Sequence, residues 1–514
     1  MPFDPAIVRS VEIDGRTLRL SDVEAGVRGA PVTLGGAARD RIDRARVMVQ
    51  DILRDRTVVY GVSTGVGDLC TTTIPPGELR ALQQNIIRSH AAGVGAPLPE
   101  DIVRAMLLLR ANALATGHSG VRSDLVDLLL ALLNARVHPV IPEQGSLRAS
   151  GDLAPLAHLA LVLTGEGEAV VDGTRLPGRE ALRRRRLEPI VLEAKEGIAL
   201  INGTQLMTAF GVRVVLDGER LAALADVAGA LTLEALGGTD RAFAAPLHAA
   251  RPHAGQSASA AYLRRLLDGS ARIARGAYDR VQDAYSLRCM PQVHGSVRHA
   301  LAHLREVLSI EINSATDNPL LFPDTGDVIS GGNFHGQPLA LPLDYAACAL
   351  ATLATISERR IERLVNPHLS GLPAFLAPQG GLHSGYMLAQ YTAAALVSEN
   401  KVLSHPASVD SIPTSGNQED HVSMGATSAR KVFQILRHTQ QVLGIELVAA
   451  CQALDFGTGR LGRGTAAAYR AVRERVGRLT EDRTLATDLA HGLALVESGT
   501  VLNAVEAALG RAAD

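Results

Sequence analysis

The densest chemistry in the chain lies in the run Gly145-Ser146-Leu147-Arg148-Ala149-Ser150-Gly151-Asp152-Leu153-Ala154-Pro155-Leu156-Ala157-His158. Small residues at Ala149, Ser150 and Gly151 let the backbone fold tightly back on itself, and Asp152 supplies a carboxylate beside that turn. Such a turn can bend until the nitrogen after Ser150 meets the carbonyl before it. A tripeptide of this kind is also an ordinary loop, followed here by a helix with Pro155 in its first turn. Ser150, Asp152 and His158 are the three residue types of a hydrolytic triad, but they crowd one loop and lack a Gly-x-Ser-x-Gly elbow.

Other polar clusters interrupt apolar stretches. Ile201-Asn202-Gly203-Thr204-Gln205 opens a long helical pattern, so Asn202 is expected near a helix N-terminus, as a cap or an anion site. Gln282, Tyr285 and Arg288 follow at three-residue steps and would share one face of a helical turn. The fork of Arg288 suits both oxygens of a carboxylate. Phe334 stands in the glycine-flanked loop Gly331 to Gln337, as an aromatic wall or a core anchor, and Glu419 lies in the acidic and amide cluster Asn417 to His421. The loop from Tyr60 through Gly61, Gly65 and Gly67 is glycine-rich, yet no Gly-Lys-Ser/Thr follows, which argues against a phosphate loop. His299 and His303, at i and i+4, have the spacing of a metal pair without the glutamate of a zinc-protease pattern.

The elements that must position these groups are mainly helical. Helices are expected over residues 41–54, 78–91, 100–115, 123–135, 206–236, 339–365, 387–403 and 424–454, the later ones long and apolar on more than one face. Their packing predicts a mainly α fold: a long central bundle with small N-terminal and peripheral hairpins. Hairpins are expected around Asp14-Gly15, Asp172-Gly173 and Asp324-Thr325-Gly326. Length alone suggests about three domains, but no linker is visible. The division expected is residues 1–200, bearing the reactive turn, and 201–514, the long-helix part of one continuous catalytic chain.

With 46% hydrophobic and 20% charged residues and a formal net charge of -2, the chain has no general attraction for nucleic acid or anionic lipid. The partner expected is small. The arginine run 183–186 reads as a solvated surface. The four cysteines are scattered, the N-terminus lacks signal-peptide blocks, and no apolar run is expected to reach the roughly 18–20 residues of a membrane span. A cytoplasmic location fits these features.

The fourteen-residue run resembles the signature of the ammonia-lyases and aminomutases that build 4-methylideneimidazole-5-one (MIO) from an internal Ala-Ser-Gly. The histidine ammonia-lyases match best, through Ser89-His90, Met387 and Glu419. Leu147-Arg148 stands where Val-Gly is usual, and Ser63 and Val66 where Asn and Phe are usual. The resemblance implies that Ala149, Ser150 and Gly151 cyclise with loss of two waters, Asp152 assisting, so that no external cofactor is needed. An electrophile is what natural side chains lack. It further implies elimination of ammonia from L-histidine to give trans-urocanate, with either the amine or the ring adding to the methylidene.

The same resemblance makes Tyr60 the base for the β-proton, which requires its pKa to fall from about 10. Arg288 and Asn202 would hold the carboxylate, with Tyr285 and Gln282 positioning substrate and MIO and Phe334 bordering the group. His90 and Glu419 would face the imidazole, Met387 being a further mark of the histidine enzymes. A homotetramer whose subunits share active sites is implied. Alternatives are a tyrosine or phenylalanine lyase or a mutase of the family, or a homologue in which Arg148 prevents cyclisation.

Overall fold

The computed structural model describes residues 10–147, 150–274 and 281–510. Arg148 and Ala149, on which two of the expectations above rest, lie outside them. Five long helices form the centre: α1 Gln205–Ala235, α2 Met290–Glu311, α3 Gln337–Val365, α4 Met387–Leu403 and α5 Gly425–Leu454. α5 packs on α1, α3 and α4, while α2 packs on α1 and α3. Helix α1 has 31 residues, hence a length of roughly 46 Å. It is apolar on nearly every face because neighbours surround it, with Phe210, Leu221, Leu224 and Leu231 all buried.

Charged groups of neighbouring helices pair inside this bundle. Arg360 of α3 binds Glu446 of α5 through Nε at 2.5 Å and Nη2 at 2.8 Å. His294 of α2 meets Asp226 of α1 at 2.7 Å. The pairing also bears on the membrane expectation, which needs correcting. Two helical stretches, Glu196–Ala235 and Gln337–Val365, are long and apolar enough to cross a membrane by length and composition. In the first, 94% of the apolar window is buried within the protein, and in the second 56%. Their hydropathy therefore serves helix packing to that extent.

The helices over 79–90, 100–115 and 123–134 occupy the expected segments and pack around the first part of the chain. The hairpins Glu168–Val171 with Thr174–Pro177 and Leu320–Phe322 with Asp327–Ile329 form in antiparallel register. Asp172 and Gly173 both take positive φ, +50° and +75°, as a tight two-residue turn requires. In the arginine run, Arg183 pairs with Glu180 and Arg185 with Asp172 on the surface.

The N-terminal hairpin does not form. Val11–Ile13 pairs in parallel with Val32–Leu34, and the intervening Leu20–Arg28 is a helix. The cause is local capping. Asp14 Oδ1 accepts from the N–H groups of Arg16 and Thr17 at 2.8 Å each, and Gly15 N donates to Asn112 Oδ1 at 2.8 Å. Asp22 Oδ2 then accepts from Arg19 N at 2.9 Å and starts the helix, so residues 17–20 never extend.

Candidate active site

Tyr60 lies in a loop fastened by short polar bonds. Ser63 Oγ accepts from Val59 N at 2.9 Å and donates to Thr57 O at 3.0 Å, which gives Ser63 a staple's role in this loop. Val66 is partly buried against the main core. Gly61 and Gly67 take φ of +64° and +61°, and Gly67 N donates to Tyr60 Oη at 3.2 Å. Burial pushes the Tyr60 phenol above its usual pKa. The Gly67 N–H opposes this, while Cys70, Glu419 and Asp317 add to it. Among the described residues of one chain, no side chain produces the fall in pKa that the base role requires.

His90 ends the Leu79–His90 helix. Its Nδ1 lies 2.8 Å from Ile86 O, an acceptor, so Nδ1 carries the proton and Nε2 is left as an acceptor. Burial lowers the His90 pKa; the Ile86 carbonyl and Glu419 pull the other way. The ring is thus neutral at pH 7. Glu419 Oε2 accepts from Thr414 Oγ1 at 2.7 Å. Between those two residues the backbone is strained, with Ser415 and Asn417 at φ +52° and +72°. This turn packs against the 3₁₀ segment Gly67–Thr71 of the tyrosine loop. Tyr60, His90 and Glu419 therefore share one neighbourhood.

The reactive turn reaches the same region from beneath. Gly151 has φ +95°, and a Cβ there would overlap the backbone N of Gly203. Asp152 N donates to Gly203 O at 2.7 Å. Asp152 is fully buried, and its Oδ2 accepts from Leu206 N at 2.8 Å. The carboxylate thus occupies the N-terminus of α1, where the helix dipole favours it. Sequence reasoning gave that place to Asn202. Asn202 instead ends the short Glu196–Ile201 helix, two residues before the Thr204 cap of α1. With its amide oriented to suit its neighbours, Nδ2 donates to Ser150 O at 2.5 Å and Oδ1 accepts from Asn318 N at 3.1 Å. His158 turns away and accepts from Gly93 N at 3.1 Å, so Ser150, Asp152 and His158 form no triad.

Phe334 is half-buried on a loop tied to this site. Gly331 N donates to Asn318 Oδ1 at 2.8 Å, and His335 Nε2 lies 3.3 Å from His421 O.

Gln282, Tyr285, Arg288 and Met387 are elsewhere. The first three do gather: Arg288 Nη1 donates to Gln282 Oε1 at 2.5 Å, and its guanidinium lies 4.7 Å from the Tyr285 ring centre. Tyr285 is 72% exposed, and Arg288 Nε is buried without a partner among the described residues. Ser286 O accepts from Arg360 Nη1 at 3.5 Å, and Arg360 also approaches Gly229 of α1. Gly229 is 23 residues beyond Leu206, which places this cluster roughly 35 Å along α1 from Asp152. Met387 starts α4, whose Gln390 binds Glu358 of α3 at 3.0 Å. Glu358 lies 18 residues, roughly 27 Å, along α3 from Ala340, which adjoins Gly425 and Met207 near the turn. In one chain the expected site residues therefore fall into two groups, at opposite ends of its bundle.

Sequence reasoning passed over the charges beneath the turn. Arg110 and Lys195 are fully buried; Lys195 Nζ donates to Asp317 Oδ2 at 2.5 Å, and Asp317 Oδ1 accepts from Asn318 N at 2.6 Å. The available signal was an arginine inside the apolar run Met106 to Ala111.

A family model described as aromatic amino acid lyase matches residues 18–474. The chain belongs to the aromatic amino acid lyase family. A histidine ammonia-lyase of Symbiobacterium thermophilum is 56% identical over 505 residues, covering 98% of this chain and 99% of that protein. Among solved structures, the histidine ammonia-lyase of Trypanosoma cruzi superposes with a TM-score of 0.91 at 45% identity, covering 98% of this chain and 96% of its own. A tyrosine aminomutase of Streptomyces globisporus superposes with a TM-score of 0.93 at 40% identity, over 97% and 99% of the two chains. Across these aromatic amino acid lyase relatives, then, one fold is shared by a lyase and a mutase.

The MIO group that membership implies can be tested against the described residues of the turn. Gly151 is at a φ and a backbone approach that only glycine meets, Asn202 holds Ser150 O, and Asp152 is fixed next in the chain. These residues fit the group.

Proposed function

We propose that this chain eliminates ammonia from L-histidine to give trans-urocanate, using MIO formed from Ala149, Ser150 and Gly151. The single observation that carries the choice of histidine is the 56% identity to a histidine ammonia-lyase over 98% of the chain, and the tautomer of His90 agrees with it. Its neutral ring offers an acceptor at Nε2, beside Glu419 and Tyr60, and an imidazole N–H is the donor that suits it. A phenyl ring has no such donor, which sets phenylalanine apart; the phenol of tyrosine has one.

When formed, MIO supplies the electrophile that turns a poor amine leaving group into a better one. The chain's own residues do the rest. Tyr60 takes the β-proton, and Glu419 with His90 fixes the imidazole. Asn202 meets the carboxylate from the turn side. Arg288 binds that carboxylate through its fork, with Tyr285 and Gln282 orienting the substrate, Phe334 bordering the group and Met387 lining the pocket.

The roughly 27–35 Å between the two groups of residues supports a site shared between copies, in which the Arg288 end of one copy completes the Tyr60 end of another; the family resemblance makes that assembly a homotetramer. Leu341 and Tyr345 on α3 and Leu388, Tyr391 and Val402 on α4 are exposed apolar side chains in one chain, and such a surface suits burial between copies. A positive charge from Arg288 would then lower the Tyr60 pKa, which the described residues of one chain do not. The division at residue 200 puts the turn, Tyr60 and His90 in 1–200 and the bundle with Arg288 in 201–514, from which Asn202, Phe334 and Glu419 reach back to the Tyr60 end.

Separate incubation with histidine, tyrosine and phenylalanine tests this reading. Urocanate is expected from histidine, with little cinnamate or coumarate and no β-amino acid. Preference for tyrosine, or a β-amino product, would overturn it. His90→Leu is expected to lower kcat/KM for histidine by about 10- to 100-fold, the cost of an unmade buried hydrogen bond, measured by urocanate absorbance.

A further inference from the structure

Arg110 has no exposed surface, yet among the described residues its guanidinium binds only neutral acceptors. Nη1 donates to Asn202 O at 3.0 Å and Gln205 Oε1 at 2.8 Å, and Nη2 donates to Ala199 O. All three acceptors belong to the stretch Ala199–Gln205, which joins the Glu196–Ile201 helix to α1. That stretch is the strap lying on the reactive turn, through Asn202 to Ser150 O and Gly203 O to Asp152 N.

Three layers are therefore in contact. A Cβ at Gly203 would overlap Arg110 Nη1 on one side, and a Cβ at Gly151 would overlap Gly203 N on the other. No slack separates guanidinium, strap and turn. Gln205 extends the grip, its Nε2 donating to Thr316 Oγ1 at 3.1 Å. Burial draws the Arg110 pKa down to about 10, with Asp317 and Asp152 opposing, so the group remains charged at neutral pH. A buried cation bound to carbonyls alone is costly compared with an apolar residue of similar size.

We propose that Arg110 is a positioning residue for formation of the prosthetic group: it presses the Asn202–Gly203 strap onto the Ser150–Gly151 turn and holds the turn at the curvature from which the ring closes. The inference rests on the MIO reading above. Closure joins Gly151 N to the Ala149 carbonyl carbon. The Ala149 oxygen leaves as water with the amide hydrogens of Gly151 and Ser150, and a C=N bond forms to Ser150 N. Ser150 Oγ–H leaves with the Ser150 Cα hydrogen as the second water. No oxidant or co-reactant is required.

Arg104 provides an internal control. It lies on the same helix, is nearly as buried, and donates to the carbonyls of Val27, Leu133 and Gly26, away from the turn. Full-length chains are synthesised in a pulse and sampled over time by intact mass, with circular dichroism confirming the fold. Arg110→Lys is expected to lose the mass of two waters at least about tenfold more slowly than the unchanged chain, while Arg104→Lys keeps the unchanged rate. Should Arg110→Lys not fold, Gln205→Met decides, since it keeps the charge and removes an acceptor; the same slowing is expected. Dehydration of the deciding variant at the unchanged rate, or equal slowing in Arg104→Lys, would overturn the proposal and leave MIO intact. An unchanged chain that never loses two waters would remove the MIO reading itself, and this proposal with it.

Discussion

Tyr60→Phe is expected to lower kcat by about 100- to 10,000-fold, the range for loss of a general base, with KM little changed. The phenyl ring keeps the packing of the loop and loses only the oxygen that accepts from Gly67 N. Because KM reports binding and the proton leaves in the chemical step, the loss should fall on kcat. The base is active when deprotonated, so kcat/KM of the unchanged protein should rise with pH until the phenol has ionised. Burial with the Glu419 and Asp317 charges moves that limb to higher pH, and the Gly67 N–H moves it lower. A limb well below the ordinary phenol value of about 10 in the assembled protein, moved back up by Arg288→Ala, would identify the guanidinium of Arg288 as the group that lowers it. Tyr60→Phe should abolish the limb. Initial rates of urocanate formation across pH measure both effects.

Ser150→Ala is expected to lower turnover by at least about 1,000-fold, because the electrophile is lost and no side chain replaces it. The methylidene carbon comes from Ser150 Cβ after its oxygen departs, and alanine has no oxygen to lose. The fold should survive. The bonds that fix this turn run through the backbone, from Asn202 to Ser150 O and from Asp152 N to Gly203 O. Intact mass should never show the loss of two waters in this variant, while its thermal midpoint stays near that of the unchanged protein. Arg148 gives the mass of the unchanged chain added interest, since a cation stands there in place of the usual glycine.

Much of the architecture was legible because it is locally encoded. Apolar periodicity set the long helices to within a few residues, and the φ-tolerant Asp172-Gly173 and Asp324 to Gly326 set two hairpins. The N-terminal hairpin failed because Asp14 and Asp22 cap a turn and a helix, and the partner of Val11–Ile13 lies beyond that helix. The apolar length of 337–365 was underestimated because charged residues such as Asp344 and Arg360 interrupt its sequence, though each is buried and bonded.

The site was legible as a set of residue types but not as a place. Tyr60, His90, Asn202 and Glu419 converge through long-range contacts that no local pattern encodes. The spacing of Gln282, Tyr285 and Arg288 shows that they gather, but not that a bundle length separates them from Ser150. Arg110 and Lys195 were missed because a lone charge in an apolar run gives no sign of which backbone it will hold.

A site shared between copies is tested most directly by mixing two inactive variants, Tyr60→Phe and Arg288→Ala, through coexpression at equal levels. Each has one intact half-site. Random assembly should restore roughly a quarter of the sites, so urocanate formation should return well above that of either variant alone. Mixed assemblies as inactive as their parents would place Tyr60 and Arg288 in the same copy's site and contradict the shared arrangement.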